Sequence, residues 1–247
     1  MIHIRDASEI NKLSKACQIV KETLEMIEEW IQPGITTLEL DNKAEEFIRS
    51  IGAEPGFKGL YGYPATLCVS IDDEVVHGLP TNRELRDGEI LSVDVGSLIH
   101  GFYGDHAKSF SVGKVDEKRQ ELMDVTRQCL LDAIEQAIPG NRIGDISHAV
   151  QTKAESHGYG VVRELVGHGI GTNLHEEPQI PNYGSPGKGP RIEVGMCFAI
   201  EPMINMGTPD VYTKKDGWTV CTKDGLPSAH FEHSITITNN GAKILTV

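Results

Sequence analysis

The sequence predicts an α+β fold: a curved antiparallel sheet backed by helices and built from two repeated halves. Three observations predict it. Two helical segments followed by short β runs occur twice along the chain. The Pro-Gly breaks at 33–34 and 139–140 lie 106 residues apart, and so do the closing glycines Gly52 and Gly158. Most connections between β runs carry Gly, Pro or Asp, as hairpins do, and hairpins flanked by helices pack as α+β. At 247 residues the chain suits one large domain or two fused halves. We read 1–247 as a single domain with pseudo-repeats of about 1–115 and 116–247.

The elements follow in order. Residues 8–31 show helical periodicity (Ile10, Leu13, Cys17, Val20, Leu24, Ile27) and end at Gln32-Pro33-Gly34. A Thr36-x-x-Glu39 capping box opens a second helix over 37–50, closed at Gly52. In the second half, Leu122, Val125, Cys129, Ala133, Ile134 and Ala137 mark a helix ending at Ile138-Pro139-Gly140. Another runs over 144–156 and closes at Gly158. Strands are expected over 65–71, 89–97 and 103–112, then over 161–165, 196–204, 218–222 and 231–238.

Bulk composition narrows the function classes. The hydrophobic fraction of 39% and charged fraction of 24% are ordinary for a globular protein. The net charge of −13 argues against direct nucleic-acid binding, which needs a basic face. No apolar run approaches the roughly 20 residues needed to span a bilayer. The first residues lack a basic segment followed by an apolar one, so neither a signal peptide nor a membrane partner is expected. Five scattered cysteines (Cys17, Cys68, Cys129, Cys197, Cys221) without a CxxC pair fit a reducing cytoplasm.

The chemistry starts with Asp94 and Asp105, eleven positions apart in one expected hairpin. A turn at Ile99-His100-Gly101 puts them nearly opposite each other, with Cβ atoms roughly 4.5–5.5 Å apart. Two carboxylates that close ionise together only around a cation. His168 in a Gly-rich turn, and Glu201 and Glu232 in apolar runs, extend the set. Singly, each has a blander reading: a salt-bridge partner, or a structural histidine. Five together in the strand-rich parts of both halves favour a shared metal centre. Carboxylate and imidazole suit Mn, Fe, Co or Zn. Four carboxylates are too many for one structural zinc, and two bridging carboxylates between two cations account for the number.

The order Asp94, Asp105, His168, Glu201, Glu232 resembles the dinuclear site of the methionine aminopeptidases. So do the words Val76-His77-Gly78, Asp94-Val95-Gly96, Gly104-Asp105, Gly167-His168-Gly169-Ile170-Gly171, His175-Glu176-Glu177-Pro178, Ile200-Glu201-Pro202-Met203 and Phe231-Glu232-His233. The resemblance covers essentially the whole chain and is closest to the short bacterial type I enzymes. It implies the duplicated pita-bread fold and removal of the N-terminal methionine from nascent proteins whose second residue is small. It also implies two divalent ions (Co, Mn, Fe(II) or Zn). Asp94 would chelate one ion, Asp105 and Glu232 would bridge both, and His168 and Glu201 would complete the other. Hydroxide generated between them would attack the first peptide bond, with Glu201 as proton shuttle.

By the same resemblance His77 and His175 contact the substrate near the scissile bond and stabilise the transition state. Alone, both read as loop histidines. Tyr63 and Cys68 match methionine-pocket positions, and Trp218 matches a lid over that pocket. Strand alternation turns His106 and His233 away from the ligands beside them. His3, His100, His148, His157 and His230 are expected to be structural or exposed. Leu60, Phe57 and Leu174 depart from the best-known bacterial pattern but remain apolar. Asp72 and Ser228 match a monovalent-cation site, for Na or K. A chain beginning Met1-Ile2 would keep its own methionine, because its second residue is large. A monomer, with the ribosome as a partner, is the expected assembly. The alternatives are an Xaa-Pro-type pita-bread peptidase, which usually carries an extra N-terminal domain, and a non-catalytic peptide-binding relative.

Overall fold

The computed structural model describes residues 2–247; Met1, on which the methionine-retention expectation falls, lies outside the described residues. The first half runs α1 (Ala7–Glu28), α2 (Thr37–Ser50), β1 (Glu54–Pro55), β2 (Leu67–Ile71), β3 (Glu74–Val76), β4 (Ile90–Ile99) and β5 (Phe102–Ser111). The second runs α3 (Glu117–Gln136), α4 (Ile143–Ser156), β6 (Gly160–Val161), β7 (Gly167–Gly169), β8 (Glu176–Ile180), β9 (Cys197–Ile200), β10 (Met203–Asn205), β11 (Val211–Thr213), β12 (Val220–Thr222), β13 (Ser228–His230), β14 (His233–Thr238) and β15 (Gly241–Ile244). The order of two helices followed by strands thus occurs twice.

α1 opens on a capping box. The Asp6 carboxylate accepts the Glu9 N–H at 2.9 Å, and the Glu9 carboxylate accepts the Asp6 N–H at 3.1 Å. Its periodic face (Leu13, Cys17, Val20, Leu24, Ile27) is buried. It ends at Glu28 rather than at 31, because the last residues before Pro33 tighten into i→i+3 bonds such as Trp30 N–H to the Ile27 carbonyl, 2.9 Å. The expected Thr36–Glu39 capping box opens α2. From the middle of α2 the buried Asp41 carboxylate accepts the Thr66 and Leu67 N–H groups, 2.9 and 2.8 Å, which fixes the start of β2. Each helix pair closes its own apolar core, α1 and α2 over β2 and β4, α3 and α4 over β9 and β14.

α1 lies directly on β5. A Cβ on Gly104 would come within 2.4 Å of the Ala16 backbone, so only glycine lets the helix approach the strand that carries Asp105.

Strand pairing is antiparallel throughout the described ladders and falls into four groups: β1-β4-β2 with β5 on β4, β13-β10-β6, β11-β12-β3, and β15-β14-β9-β7-β8. The expected strands 65–71, 218–222 and 231–238 each start two residues later, and two others are cut back further. The run 196–204 splits at Glu201-Pro202, because proline has no N–H for the ladder, and its two parts join different groups. The run 161–165 pairs only through Gly160–Val161. The hairpin β4–β5 turns on His100 and Gly101, both with positive φ (53° and 76°), as a two-residue type I′ turn requires. That shifts the register by one from a three-residue turn over 99–101. Asp105 faces Gly96, and Asp94 faces Ala107, so the two aspartates are diagonal neighbours on one face rather than directly opposed.

Candidate metal centre

The broken strand and the shifted hairpin bring the acidic residues to one cavity. Asp94 and Asp105 enter it from β4 and β5, His168 from β7, Glu201 from the gap after β9, and Glu232 from the gap between β13 and β14. Donor atoms of Asp105, His168 and Glu232 lie within 4.8 Å of one another. His168 Nε2 is 3.6 Å from Asp105 Oδ2 and 3.5 Å from Glu201 Oε1.

The backbone around these side chains is pinned. Glu232 N–H donates to the Ala107 carbonyl of β5 at 2.9 Å. Ser234 Oγ donates to the Asp105 carbonyl at 2.8 Å. Asn182 Nδ2 donates to the Glu201 carbonyl at 2.9 Å, across the Pro202 break. His106 points to the opposite face, as alternation predicts. Its Nδ1 meets the Glu232 carbonyl and its ring stacks on His233 at 4.8 Å. Neither histidine reaches the cavity.

Electrostatics define what the cavity wants. Burial pushes the Asp94, Asp105, Glu201 and Glu232 carboxyls above their ordinary values, and mutual repulsion pushes Asp105 and Glu232 further. Burial holds His168 down at about 3, so its imidazole is neutral. Its Nδ1 lies 2.9 Å from the Gly169 carbonyl; donation there leaves the Nε2 lone pair facing the acids. Asp94 Oδ1, Asp105 Oδ1 and Glu232 Oε1 are buried without any hydrogen-bond partner. Orphaned carboxylate oxygens beside a neutral imidazole are the donor set of divalent cations, and the residues present fit two such ions.

An apolar recess adjoins the acids. Tyr63, Cys68 and Trp218 line it, with Phe57, Leu60 and Leu174 completing the wall. The Tyr63 hydroxyl is turned away, 2.9 Å from both the Leu67 and Gly78 carbonyls, so its ring is what the recess sees. Trp218 meets that ring edge-on at 5.2 Å. Phe57 occupies the space a side chain on Gly96 would need, with ring atoms 2.5 Å from the would-be Cβ. His77 sits at the mouth in a left-handed conformation (φ 58°) that histidine rarely adopts, and burial holds it down at about 4. His175 lies edge-on to His168 at 4.5 Å.

Two residues here escape the sequence reading. Tyr61, 76% exposed and left-handed, stacks on His175 at 6.0 Å. His230, expected to be structural or exposed, is buried, with Nε2 3.6 Å from Glu201 Oε2. A signal for it existed: His230 and Glu232 are two residues apart, the spacing that keeps side chains on one face. His3, His100, His148 and His157 are exposed, as expected.

This fold, with such a donor set beside an apolar recess, is that of a metallopeptidase, and the chain belongs to metallopeptidase family M24, whose sequence profile matches residues 11–239. Within that family its relatives are methionine aminopeptidases. It is 49% identical over 247 residues to the methionine aminopeptidase of Clostridium perfringens, covering 100% of this chain and 99% of that one. The crystal structure of methionine aminopeptidase from Thermotoga maritima superposes with a TM-score of 0.98 at 48% identity, covering 100% and 99% of the two chains. Prolidase from Pyrococcus furiosus shares the fold at a TM-score of 0.81 and 26% identity, with 99% of this chain matching 65% of that one.

Proposed function

We propose that this chain is a metalloaminopeptidase that removes the N-terminal methionine from nascent proteins whose second residue is small. The observation that carries this reading is the junction of an orphaned carboxylate cluster with an apolar recess lined by Tyr63, Cys68 and Trp218. Asp94, Asp105, His168, Glu201 and Glu232 are the residues we assign to hold two divalent cations. Bound there, such cations supply Lewis acidity and a water of lowered pKa.

The rest of the mechanism belongs to the chain's own side chains. Tyr63, Cys68 and Trp218 receive the methionine side chain and exclude water from it. His77, held in its strained conformation at the mouth, contacts the substrate near the scissile bond. His175, next to His168, donates a hydrogen bond to the developing oxyanion. Glu201 takes the proton released by the attacking water and passes it to the leaving amine. A bulky second residue collides with the rim.

A monovalent cation, Na or K, is assigned to the backbone at Asp72 and Ser228. Support comes from the left-handed Asp72 (φ 53°), whose carbonyl accepts the Ser228 N–H at 2.8 Å. A dialysed sample whose activity ignored both ions would remove this assignment. A monomer working in the cytoplasm, with the ribosome as a partner, is the context we assign. Five free cysteines support the reducing compartment.

The test is to strip the metal, restore Mn(II) or Co(II) anaerobically, and assay Met-Ala-Ser, Met-Ile-Ser and an Ala-Pro peptide, with Asp105→Ala as control. Metal-dependent cleavage of Met-Ala-Ser alone, lost in the variant, is the expected result. Cleavage of Ala-Pro would assign a prolidase-type activity instead, and no cleavage by a metal-loaded, folded protein would point to a peptide-binding role.

A further inference from the structure

His230 has no part in the reading above, and its setting is unusual for a structural histidine. It is 2% exposed and closes β13 two residues before Glu232. Its backbone is held from behind by Ser109, whose Oγ accepts the His230 N–H at 2.9 Å and lies 2.9 Å from its carbonyl. Its ring faces the other way, toward Glu201 in the acidic cluster. Nε2 is 3.6 Å from Glu201 Oε2 and has no hydrogen-bond partner. A buried polar atom left unpaired is costly, so a nitrogen placed this way has an unmet function.

Two roles suit an imidazole nitrogen at that distance: ligand to a cation, or donor to the carboxylate. Separation alone does not choose, since His168 Nε2 lies 3.5 Å from the other oxygen of the same carboxylate. Charge does. Asp94, Asp105, Glu201 and Glu232 carry four negative charges when ionised, and two divalent cations balance them. A third cation between His230 and Glu201 would leave a buried excess of positive charge. Geometry agrees. Glu201 sits between the two rings, Oε1 toward His168 and Oε2 toward His230. With Oε1 engaged on the His168 side, Oε2 is a buried acceptor whose facing group is this unpaired nitrogen.

We propose that His230 is a positioning residue for Glu201: its Nε2–H donates to Glu201 Oε2 and fixes the carboxylate with Oε1 turned toward His168. This rests on the metal-centre reading above. For this, the 3.6 Å contact must close to hydrogen-bonding distance when the site is loaded. Loss of such an outer partner of a metal-bound carboxylate costs about 10–100-fold in affinity or activity.

The first test uses the whole wild-type protein, labelled with 15N-histidine and loaded with 113Cd(II). His168 Nε2 should show coupling to cadmium, and His230 Nε2 should carry a proton and show none. Coupling at His230 would overturn the proposal by making it a ligand. Absence of coupling at His168 as well would overturn the metal-centre reading together with it.

The second test compares His230→Ala with His230→Gln, whose amide keeps an N–H donor. With Met-Ala-Ser, His230→Ala should lose about 10–100-fold in kcat with KM nearly unchanged, and should shift the visible spectrum of the Co(II)-loaded protein. His230→Gln should restore most of the rate and the spectrum. A His230→Ala protein with native kcat and spectrum, or a folded His230→Gln protein as impaired as His230→Ala, would sink the assignment.

Discussion

Glu232 donates its backbone N–H to the Ala107 carbonyl across 2.9 Å, joining the segment before β14 to the far side of the β4–β5 hairpin. That single bond brings the carboxylates of Asp105 and Glu232, from different halves of the chain, to the same cavity. It also sets them against each other, because the Asp105 carboxylate raises the affinity of Glu232 for a proton.

Removing one of the repelling acids should therefore help the empty protein and harm the loaded one. Asp105→Asn should raise the melting temperature of the metal-free protein by about 2–4 °C, the equivalent of about 1 kcal/mol in a chain of this size. Differential scanning fluorimetry with and without a chelator would show the gain, and added Mn(II) should no longer stabilise the variant.

Metal addition to the wild type should relieve the same repulsion and stabilise it further. A cation at about 100 times its dissociation constant contributes about 2.7 kcal/mol, or roughly 5–10 °C here. A melting temperature indifferent to Mn(II), Co(II) and Zn(II) in a stripped sample would contradict the centre.

The Arg5 guanidinium reaches both oxygens of Glu176 at 2.6 Å, with side-chain exposures of 5% and 4%. Burial raises the Glu176 carboxyl, but the Asn173 amide and Arg5 outweigh it, and the group lies below its ordinary 4.5. A lowered folded pKa gives stability that is complete above the unfolded value and is lost as pH falls through the folded one. Arg5→Met should thus cost about 3–5 kcal/mol at neutral pH by leaving a buried charge unpaired. Its deficit against the wild type should be largest at neutral pH and shrink as the pH falls and Glu176 takes up a proton, vanishing below the lowered folded value of the wild type. Urea titrations across pH would read both.

Gly104→Ala places a methyl group 2.4 Å from the Ala16 backbone. Helix α1 must then lift off β5 beside Asp105, at a cost of about 1–3 kcal/mol. We expect weaker Mn(II) binding by calorimetry as well as a lower melting temperature.

Trp218 packs on Tyr63 at 5.2 Å over the recess. Trp218→Ala should raise KM for Met-Ala-Ser about tenfold with a smaller change in kcat, since the contact is made in ground and transition state alike. Steady-state kinetics would separate the two.

The helices and the acidic residues were legible because each follows a local rule. The capping box at Thr36, 3.6-residue periodicity, and a carboxylate in an apolar run can all be read without knowing what packs against them; the matching box at Asp6 was passed over. The register of the hairpin was less so. A two-residue turn at His100-Gly101 instead of a three-residue one over 99–101 moves Asp105 by one position, to opposite Gly96. The division of the strands into four groups was hidden for a related reason. It depends on where ladders break, at Pro202 and around Phe231-Glu232, and on which distant strand meets each part. Tyr61 was illegible because its left-handed backbone is set by the surrounding turn. His230 was readable by parity and was passed over because its neighbours on the other parity were correctly dismissed.

Asp94 and Asp105 lie before residue 112, and His168, Glu201 and Glu232 lie after it. Neither half owns the pocket; it exists only at the seam. A chain nicked near Gly113 would leave two inert pieces, each with a helix pair and strands of its own, and chemistry would return only if they found each other again. The same geometry gives an on–off character to any treatment that loosens the seam: hydrolysis would vanish before either half had melted.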